Sequence, residues 1–595
     1  MKEKKFSKNK KKRKINLINF NVNENKIKNA SKLKSDNLIS IGDWCELLKN
    51  IYIDKKKYEY FNFYKWNNLR KKTQDSRLII ETYEYFLKIL TDKLNYIHKK
   101  KENKRFWEIL LGRWLFTYVQ NIYSRWQIVQ KIKSNFKLVS VITSHYDNSN
   151  FIPYNTQDAH WIMNSPDNAH WNIAIFNKII KFIYNDSINF KYFKTVKNLN
   201  YNYNFFNNIY YSKVINFSLK KNIFFYDLSL DKKKFFLLML KNNFLNIQLR
   251  KKNKILNKKI NLVLRDKLSL EKKIFKNKFY EFIYKDIKYR LPKVFFEDFK
   301  ELENTYKILN WPQAPDYILS SYAQYYDEVF KYYCAKKIKK TKLFILQHGY
   351  GNIFADKDHY NFYMDKRIST KFLTWGKNFK DNSKAFVFPF RSFVNKKINS
   401  NKKIVFIIYA FNEKPYLPIN GFISGNQANI KIIKLVERFI IKSNYQIQKN
   451  SYAKLLSNSM VGSVKKSIKF KFPNLVFLDS KKRFSQVIDD FNISVHFFLG
   501  TPFFESMHHN KPCILVLDKE VHLNFDKNFS LAIKDLKKNK ICFEKINEAT
   551  KFMNKNYENI LNWWEKDSVK KSRENFCEKY CRNFDKNQNI LKKIF

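Results

Sequence analysis

The stretch Lys342–Gly351, KLFILQHGYG, decides the fold. Its apolar part, Leu343–Leu346, is short and continuous, which is typical of a strand buried on both faces of a parallel sheet. A polar loop with two glycines follows at once. Open α/β sheets bind their ligands in such loops, at the carboxyl ends of the strands. The stretch therefore predicts an α/β protein with a parallel sheet and a ligand site at its edge.

His348 is the residue of this loop that can move a proton, because an imidazole titrates near neutral pH. Gly349 and Gly351 allow the backbone to turn sharply and to approach a ligand closely, and Gln347 adds a polar side chain. The alternative interpretation is a histidine whose hydrogen bonds are satisfied inside a tight turn. A second loop of the same kind, near residue 500, favours the catalytic interpretation.

This second loop, Gly500-Thr501-Pro502, lies between an apolar strand and a helix. We expect Gly500 to allow the turn, Thr501 to cap the helix and Pro502 to occupy its first position. The N–H groups at a helix N-terminus bind phosphate. Glu505, one turn further on, can accept hydrogen bonds from the hydroxyl groups of a ribose. The loop predicts a nucleotide site, although a capped strand–helix turn without a ligand would use the same residues.

The chain is strongly positive: Lys and Arg number 115 against 52 Asp and Glu among 595 residues, a formal net charge of +63. Such a charge is typical of nucleic-acid-binding proteins. Here, however, the basic residues are spread along the whole chain and accompany an excess of Asn, Ile, Phe and Tyr, which a bias in base composition would also produce. The sequence contains no zinc-finger spacing and no RNP-type aromatic motif. We therefore expect no specific nucleic-acid partner, but binding of nucleotide phosphates or of an anionic membrane surface.

The six cysteines form no CxxC pair, so the sequence predicts neither a zinc site nor a disulfide scaffold. Asp356-Lys357-Asp358 imitates a metal-binding pair, but we place it in an exposed loop and discount it. The start of the chain carries no secretory signal, and no run of ~18 apolar residues occurs. The predicted location is the cytoplasm, with peripheral binding to the inner face of the cytoplasmic membrane left open.

Residues 1–37 are predicted to be a disordered tail. The first part, Met1–Lys14, holds nine Lys or Arg residues and one Glu, and such blocks are usually solvated. Adhesion to a membrane or to RNA is the alternative. Because the tail shows no apolar face, we expect it to be dispensable for folding.

Order is predicted to begin at the next residue, and residues 38–395 form the first domain, in which helices precede a Rossmann-like sheet. Apolar residues recur at helical spacing over residues 76–94 and 106–129. Residues 190–290, dense in Asn, Lys, Phe and Tyr, are predicted to be an insert. A polar, basic linker leads to residues 396–595, a second α/β unit in which strands and helices alternate.

Several short motifs follow one another along residues 38–190 and 296–585. They are Ile41-Gly42-Asp43-Trp44-Cys45, Trp107–Leu115 (WEILLGRWL), Tyr123-Ser124-Arg125, Asp167–Asn172, Gln347-His348-Gly349 with Tyr350-Gly351, Trp375-Gly376, and Thr501–Glu505 ahead of Asn510-Lys511-Pro512. In type and order they resemble the motifs of a family of transferases encoded in bacterial O-antigen and surface-polysaccharide clusters, first grouped from Leptospira. That family is related to capsule-polysaccharide transferases and to the CDP-glycerol glycerophosphotransferases of teichoic acid synthesis.

The resemblance implies a GT-B-like architecture, with two Rossmann-like domains facing a cleft and a helical N-terminal elaboration. It implies a transferase that moves a sugar, or a sugar-like phosphate unit, from a nucleotide-activated donor. The acceptor would be a glycan or a lipid-linked glycan in O-antigen or capsule-type synthesis. The nucleotide would lie on the second domain, with Gly500 and Thr501 at its phosphates and Glu505 at its ribose.

On the first domain, the resemblance implies that His348 is the general base, with substrate contacts from Gln347, Gly349 and Gly351. Enzymes of this architecture stabilise the leaving phosphate with helix N-termini and basic side chains, so neither a metal nor a cofactor beyond the nucleotide-activated substrate is implied. The chain departs from the family in a shortened Gln-His-Gly loop and in Asn450–Ala453, where an arginine is expected. A catalytically degenerate scaffold of a biosynthetic complex and a basic nucleic-acid-binding protein remain the alternatives.

Overall fold

The computed structural model describes most of the chain in terms of parallel sheets covered by helices. The described residues are 12–19, 38–41, 59–60, 69–164, 169–196, 208–218, 222–229, 236, 239–240, 244–256, 258–269, 274–349, 362–378, 382–388, 402–410, 425–456, 461–479, 481–518 and 525–582.

Among the described residues, the strands form three parallel sheets and one antiparallel ribbon. In chain order the strands are β1 (Arg13–Asn19), β2 (Leu38–Ser40), β3 (Glu59–Tyr60), β4 (Phe136–Tyr146), β5 (Asn189–Val196), β6 (Asn208–Ser218), β7 (Ile223–Tyr226), β8 (Phe244–Ile255), β9 (Tyr317–Ser320), β10 (Lys342–Leu346), β11 (Lys371–Thr374), β12 (Ser383–Ala385), β13 (Ile404–Tyr409), β14 (Ser451–Leu456), β15 (Val476–Phe477), β16 (Ile493–His496), β17 (Cys513–Val516) and β18 (Cys542–Phe543). The sheet orders are β3-β2-β1-β4-β5, β12-β11-β10-β9-β7 and β15-β14-β13-β16-β17-β18, and the ribbon is β6-β8.

Helices connect and cover these sheets, as parallel strands require. They are α1 (Leu69–His98), α2 (Lys104–Asn135), α3 (Thr156–Asn164), α4 (Ala169–Tyr184), α5 (Leu262–Asp266), α6 (Lys278–Asp286), α7 (Phe299–Lys307), α8 (Ala323–Tyr326), α9 (Glu328–Lys337), α10 (Tyr363–Ile368), α11 (Gly425–Lys442), α12 (Tyr445–Lys449), α13 (Val461–Lys471), α14 (Phe484–Val487), α15 (Thr501–His508), α16 (Lys527–Lys538), α17 (Ile546–Asn556), α18 (Ile560–Trp564) and α19 (Asp567–Tyr580).

Strand β10 has the two buried faces that its apolar run predicts. Leu343 and Ile345 belong to the main hydrophobic core, whereas Phe344 and Leu346 pack into a separate cluster on the other face of the sheet. The strand pairs with β9 on one side and β11 on the other, both in parallel. The predicted α/β class, with parallel sheets and alternating helices, is therefore confirmed.

The prediction of a disordered tail is wrong for residues 13–19. They form β1, the central strand of the first sheet, which pairs in parallel with β2 and β4. Ile15 and Leu17 are fully buried. Five consecutive basic residues, 10–14, precede Ile15 and conceal these apolar positions in an average over the segment, so composition alone was misleading. The first unit thus holds a parallel sheet of its own in addition to the predicted helices.

Residues 190–290 are also more integrated than the predicted insert. Strand β5 closes one edge of the first sheet, and β7 pairs in parallel with β9 at the edge of the second. Ribbon β6-β8 packs on that edge, where Gln248 Nε2 donates to Phe225 O over 3.2 Å. The backbone of Val214 also exchanges two hydrogen bonds with the side chain of Asn310, in the loop before β9. The segment therefore supplies sheet strands to both halves of the first unit.

The end of the chain returns from the third sheet to the second. Backbone Arg582 N donates to Trp375 O over 2.8 Å, and Phe388 N donates to Arg582 O over 2.9 Å. Gly376 has φ of +147°, and a Cβ there would lie 3.0 Å from the carbonyl oxygens of Glu578 and Lys579. Only glycine fits this contact, which fixes the two α/β units against each other.

Replacement of Leu17 by Asp should unfold the first sheet, because it places an unpaired charge in the middle of the core. We expect a loss of more than about 3 kcal/mol in the free energy of unfolding, measured by chemical denaturation. Lys14→Asp, at an exposed position in the same strand, is the matched control and should change stability by less than about 0.5 kcal/mol. Equal stability of the Leu17→Asp variant and the wild type would show that β1 is not part of the core.

Candidate functional site

The two loops singled out in the sequence come together in the structure. A Cβ built on Gly349, at the end of β10, would lie 3.8 Å from Oγ1 of Thr501, at the start of α15. The carboxyl edges of the second and third sheets therefore face each other across a narrow cleft. This is the GT-B-like arrangement of two Rossmann-like units that the resemblance implied. Gly351 lies outside the described residues, so its predicted contact is not tested.

His348 is enclosed by aromatic side chains. The centroids of Tyr322, Tyr325 and Phe362 lie 4.4, 4.8 and 5.0 Å from that of the imidazole. The Tyr322 hydroxyl donates to the backbone oxygen of His348 over 3.2 Å and steadies the loop. Nδ1 of His348 is buried and has no hydrogen-bond partner in the described part of the chain. One nitrogen of the imidazole is thus left without a partner among the described residues, while the backbone carbonyl groups of Leu346 and Ser321 interact with the ring. The catalytic role of His348 remains a prediction.

Burial lowers the pKa of His348 to about 3, and the positive charge of Arg113 lowers it further in the same direction. The carbonyl groups of Leu346 and Ser321 oppose this shift, because they favour the protonated ring. The imidazole is therefore neutral throughout the physiological pH range. A neutral ring can accept a proton, which is what the predicted role requires.

Gln347 has a structural task in addition to any contact with substrate. Its Oε1 accepts from Trp375 N over 3.0 Å, and its backbone oxygen accepts from Trp375 Nε1 over 2.8 Å. Its amide donates to Gly349 O over 3.0 Å. The Gln347 amide, with its oxygen and its nitrogen each forming a hydrogen bond, ties the His348 loop to the end of β11. The predicted contact of Gln347 with substrate remains a prediction.

The second loop starts a helix one residue earlier than the sequence predicted. Gly500 is the N-cap of α15, with extended backbone angles, so Thr501 occupies the first helical position and Pro502 the second. No side chain caps this helix start. The predicted capping role of Thr501 is therefore wrong, because glycine adopts the extended N-cap conformation equally well. The uncapped N-terminus still faces the cleft, next to Gly349.

Glu505 lies in α15, 6% exposed, and its pKa is raised to about 7 by burial, with the charge of Arg483 opposing the rise. Within the described chain its carboxylate accepts no hydrogen bond. A buried carboxylate without donors is costly. Its acceptor capacity is therefore open to a ligand that brings hydroxyl groups.

Arg483 is a site residue that the sequence analysis missed. It precedes α14 and is exposed, and its charge acts both on Glu505 in its own unit and on Tyr322 across the cleft. The expected arginine of the second unit was sought at residues 450–453, where none occurs. The only available signal was the run Lys481-Lys482-Arg483 before a helix, which resembles an ordinary solvated helix start.

Metal-binding clusters and membrane-spanning helices are absent from the described ranges. Within the described ranges, no three or more His, Cys, Asp and Glu side chains are grouped so that they could hold a metal ion. None of the helices in those ranges is both long and apolar enough to cross a membrane.

Glu505→Gln should stabilise the protein at alkaline pH. The pKa of Glu505 is about 7 in the folded chain against an ordinary value of 4.5, so its contribution to stability is complete below pH 4.5 and is lost as the pH rises through 7. Glutamine stays neutral and avoids this loss. At pH 8 we expect a gain of up to about 3 kcal/mol in the free energy of unfolding, which shrinks towards pH 5. Identical denaturation curves at pH 8 would contradict the buried, unpartnered carboxylate.

Several solved structures are similar to this chain. HepE (Alr3699) of Anabaena, solved with UDP and glucose, shares 10% identity and a TM-score of 0.33 over 63% of this chain and 99% of its own. The pneumococcal O-GlcNAc transferase GtfA, solved with UDP and GlcNAc, shares 8% identity and a TM-score of 0.31 over 51% of this chain and 59% of its own. MurG of Acinetobacter baumannii shares 10% identity and a TM-score of 0.27 over 50% of this chain and 76% of its own.

The family of the chain follows from its sequence and not from these structures. No curated protein matches the sequence significantly. The sequence profile described as "LIC12162 family transferase", in contrast, matches residues 25–595, which is nearly the whole chain. The predicted transferase class is thereby confirmed, and the chain belongs to the LIC12162 family of transferases.

Proposed function

We propose that this transferase is a glycosyltransferase that moves a sugar, or a sugar-like phosphate unit, from a nucleotide-activated donor to a surface glycan. The observation that supports the proposal best is the cleft in which the loops of Gly349 and Thr501 meet. On one side stands a neutral imidazole with an unpartnered nitrogen. On the other side stands a buried carboxylate with open acceptors.

The third sheet and its helices would hold the nucleotide. Glu505 would accept hydrogen bonds from the two ribose hydroxyl groups, and Gly500 and Thr501 would lie at the phosphates, where the helix N-terminus attracts negative charge. Arg483 would meet the charge that develops on the leaving phosphate. These groups supply the stabilisation of the leaving group from the protein itself, and we propose a reaction without a bound metal or further cofactor.

His348 would take the proton of the acceptor hydroxyl. A pKa of about 3 in the free protein makes a weak base, because bases work best with a pKa near the working pH. A bound nucleotide diphosphate brings negative charge to the cleft, however, and negative charge raises the pKa of a histidine. The base would therefore gain strength only when the donor is in place. The pH profile of kcat/KM, which reports the pKa values of the free enzyme, should then show no inflection from His348 between pH 5 and 8.

The acceptor would be a glycan, free or lipid-linked, of the O-antigen or capsule type, in keeping with the motifs of the sequence. The main rival is a degenerate member that retains the fold as a scaffold. Two features favour an intact site: Gln347 is held by its hydrogen bond with Trp375 N, and Nδ1 of His348 has no partner among the described residues. A site without selection for catalysis need not keep a buried, unsatisfied nitrogen.

The nucleotide site is tested by calorimetry with a panel of CMP-, CDP-, UDP- and GDP-sugars. We expect the wild type to bind at least one member, and Glu505→Gln to weaken that binding by about 10- to 100-fold, since one charge-assisted hydrogen bond is lost. Unchanged affinity of the Glu505→Gln variant would remove Glu505 from the ribose site.

The counterpart in this experiment is His348→Ala. It should bind the same nucleotide with nearly unchanged affinity, because its side chain lies on the opposite unit, yet slow transfer by about 100- to 10,000-fold. Normal turnover by this variant would make His348 structural. Absence of binding of every nucleotide by the wild type would favour the scaffold.

We further propose peripheral binding to an anionic membrane through the outer face of ribbon β6-β8. This ribbon face consists of Lys213, Ile215, Ile247 and Leu249. Ile215 and Ile247 are directly paired, and the three apolar side chains are 50, 38 and 43% exposed. The stretch 244–259 holds six Lys or Arg residues and no acidic one. Exposed apolar side chains beside cations are suited to an interface with anionic lipid.

Ile215→Asp combined with Leu249→Asp should reduce binding to vesicles that contain anionic phospholipid. We expect a decrease of about tenfold or more, because both apolar contact and charge attraction are weakened, measured by co-sedimentation at low salt. The matched control is Ile441→Asp combined with Leu531→Asp, two exposed apolar positions in helices α11 and α16, away from the ribbon. Equal loss in both double variants, or none in either, would rule out the ribbon face.

A further inference from the structure

Arg113 projects from helix α2 towards the His348 loop. Its guanidinium carbon lies 3.2 Å from the ring centroid of Tyr325, and Tyr325 in turn lies against the His348 ring, 4.8 Å between centroids. The Arg113 side chain is 22% exposed. A guanidinium stacked on a ring is held in place while its edges stay open to further partners.

The carboxylate nearest to Arg113 is already occupied. Asp365, fully buried, accepts from Gln324 Nε2 over 3.0 Å and from the Tyr325 hydroxyl over 2.6 Å. Arg113 Nη1 stays 3.9 Å from Asp365 Oδ1, too far for a hydrogen bond. Arg113 thus forms a long ion pair with Asp365 and interacts with the Tyr325 side chain, and these two contacts do not use all five of its donors.

His160, in α3, is exposed to solvent and lies within reach of the charge of Arg113. Its Nδ1 lies 3.3 Å from the amide nitrogen of Asn164. If Nδ1 accepts from that amide, the proton of the neutral ring resides on Nε2, which is then a donor.

Cations outnumber available carboxylates in the recess, by which we mean the region around Arg113 and His160. Lys331 is close enough for its charge to be felt with that of Arg113, but it is paired with Glu328 and donates to Thr156 Oγ1 over 2.7 Å. Asp365 is engaged in hydrogen bonds with Gln324 and Tyr325 and meets Arg113 only across 3.9 Å. The positive charge next to His348 is thus incompletely offset and attracts an anion from outside.

We propose that Arg113 and His160 form an anion subsite beside His348 that takes the anionic group of the acceptor, a phosphate or a carboxylate. This inference rests on the proposed transferase reaction. An anion held there by paired N–H donors would fix the acceptor while its hydroxyl lies at His348. The nucleotide, held by the other unit, would not compete for this position.

The test first fills the donor site with a saturating nucleoside diphosphate, chosen from the nucleotides that bind. Inorganic phosphate and, separately, acetate are then titrated by calorimetry. We expect at least one of them to bind the wild type, and the Arg113→Gln variant to bind it about 10- to 100-fold more weakly. The probe that binds tells a phosphate-bearing acceptor from a carboxylate-bearing one.

Lys104→Gln, in the same helix but outside the recess, is the matched control and should bind the probe as the wild type does. His160→Gln gives a second variant in case Arg113→Gln fails to fold, and it should also bind the probe more weakly than the wild type does. Equal binding by these variants and the wild type, or no probe binding by the nucleotide-loaded wild type, would overturn the subsite. Failure of all nucleotides to bind would instead count against the proposed function, and the titration without nucleotide would still decide on Arg113.

Discussion

The cleft exists because the end of the chain is bonded to the edge of the second sheet. Two backbone hydrogen bonds of Arg582, to Trp375 and Phe388, hold the third sheet at a set distance from the second. A third contact supports them, since Lys377 Nζ donates to both carboxylate oxygens of Asp526 over 2.8 Å. Backbone bonds leave little room for sliding, so the loops of Gly349 and Thr501 keep their separation. Gly376 is required here for lack of space, because any side chain would meet the carbonyl oxygens of α19.

The sequence predicted those parts of the fold and site in which chemistry and pattern coincide. The run Leu343–Leu346 is apolar at every position, which is typical of a strand buried on both faces. His348 and Glu505 stand out because a polar side chain directly after such a run has few structural explanations. Their positions on opposite sides of one cleft could be inferred from the resemblance, since local patterns contain no information about how two sheets face each other.

The errors have physical causes of their own. Strand β1 was hidden because Lys and Arg dominate the composition just before Ile15, although Ile15, Leu17 and Ile18 are buried in the strand. Arg483 and Arg113 were missed for a different reason. In a chain with 115 basic residues, a single cation gains meaning only from what surrounds it, and that environment is assembled from distant segments. For Arg113, in α2, the surrounding segments are α8 and α10, which follow more than 200 residues later in the sequence.

The electrostatics of the cleft explain why so basic a chain can keep a selective site. Most lysines in the described part of the chain are exposed, where water and salt screen their charges within about 10 Å. At the cleft, burial instead keeps His348 neutral and raises the pKa of Glu505 to about 7, so the imidazole is uncharged and the carboxyl group is only partly ionised at neutral pH. The positive charge of the cleft comes from Arg113 and Arg483, one on each unit. A nucleotide diphosphate and an anionic acceptor would then be attracted to different sides of the same cleft, and their mutual repulsion would be offset by separate cations rather than by one shared patch. That division accounts for two partly exposed arginines in a site whose other members are deeply buried.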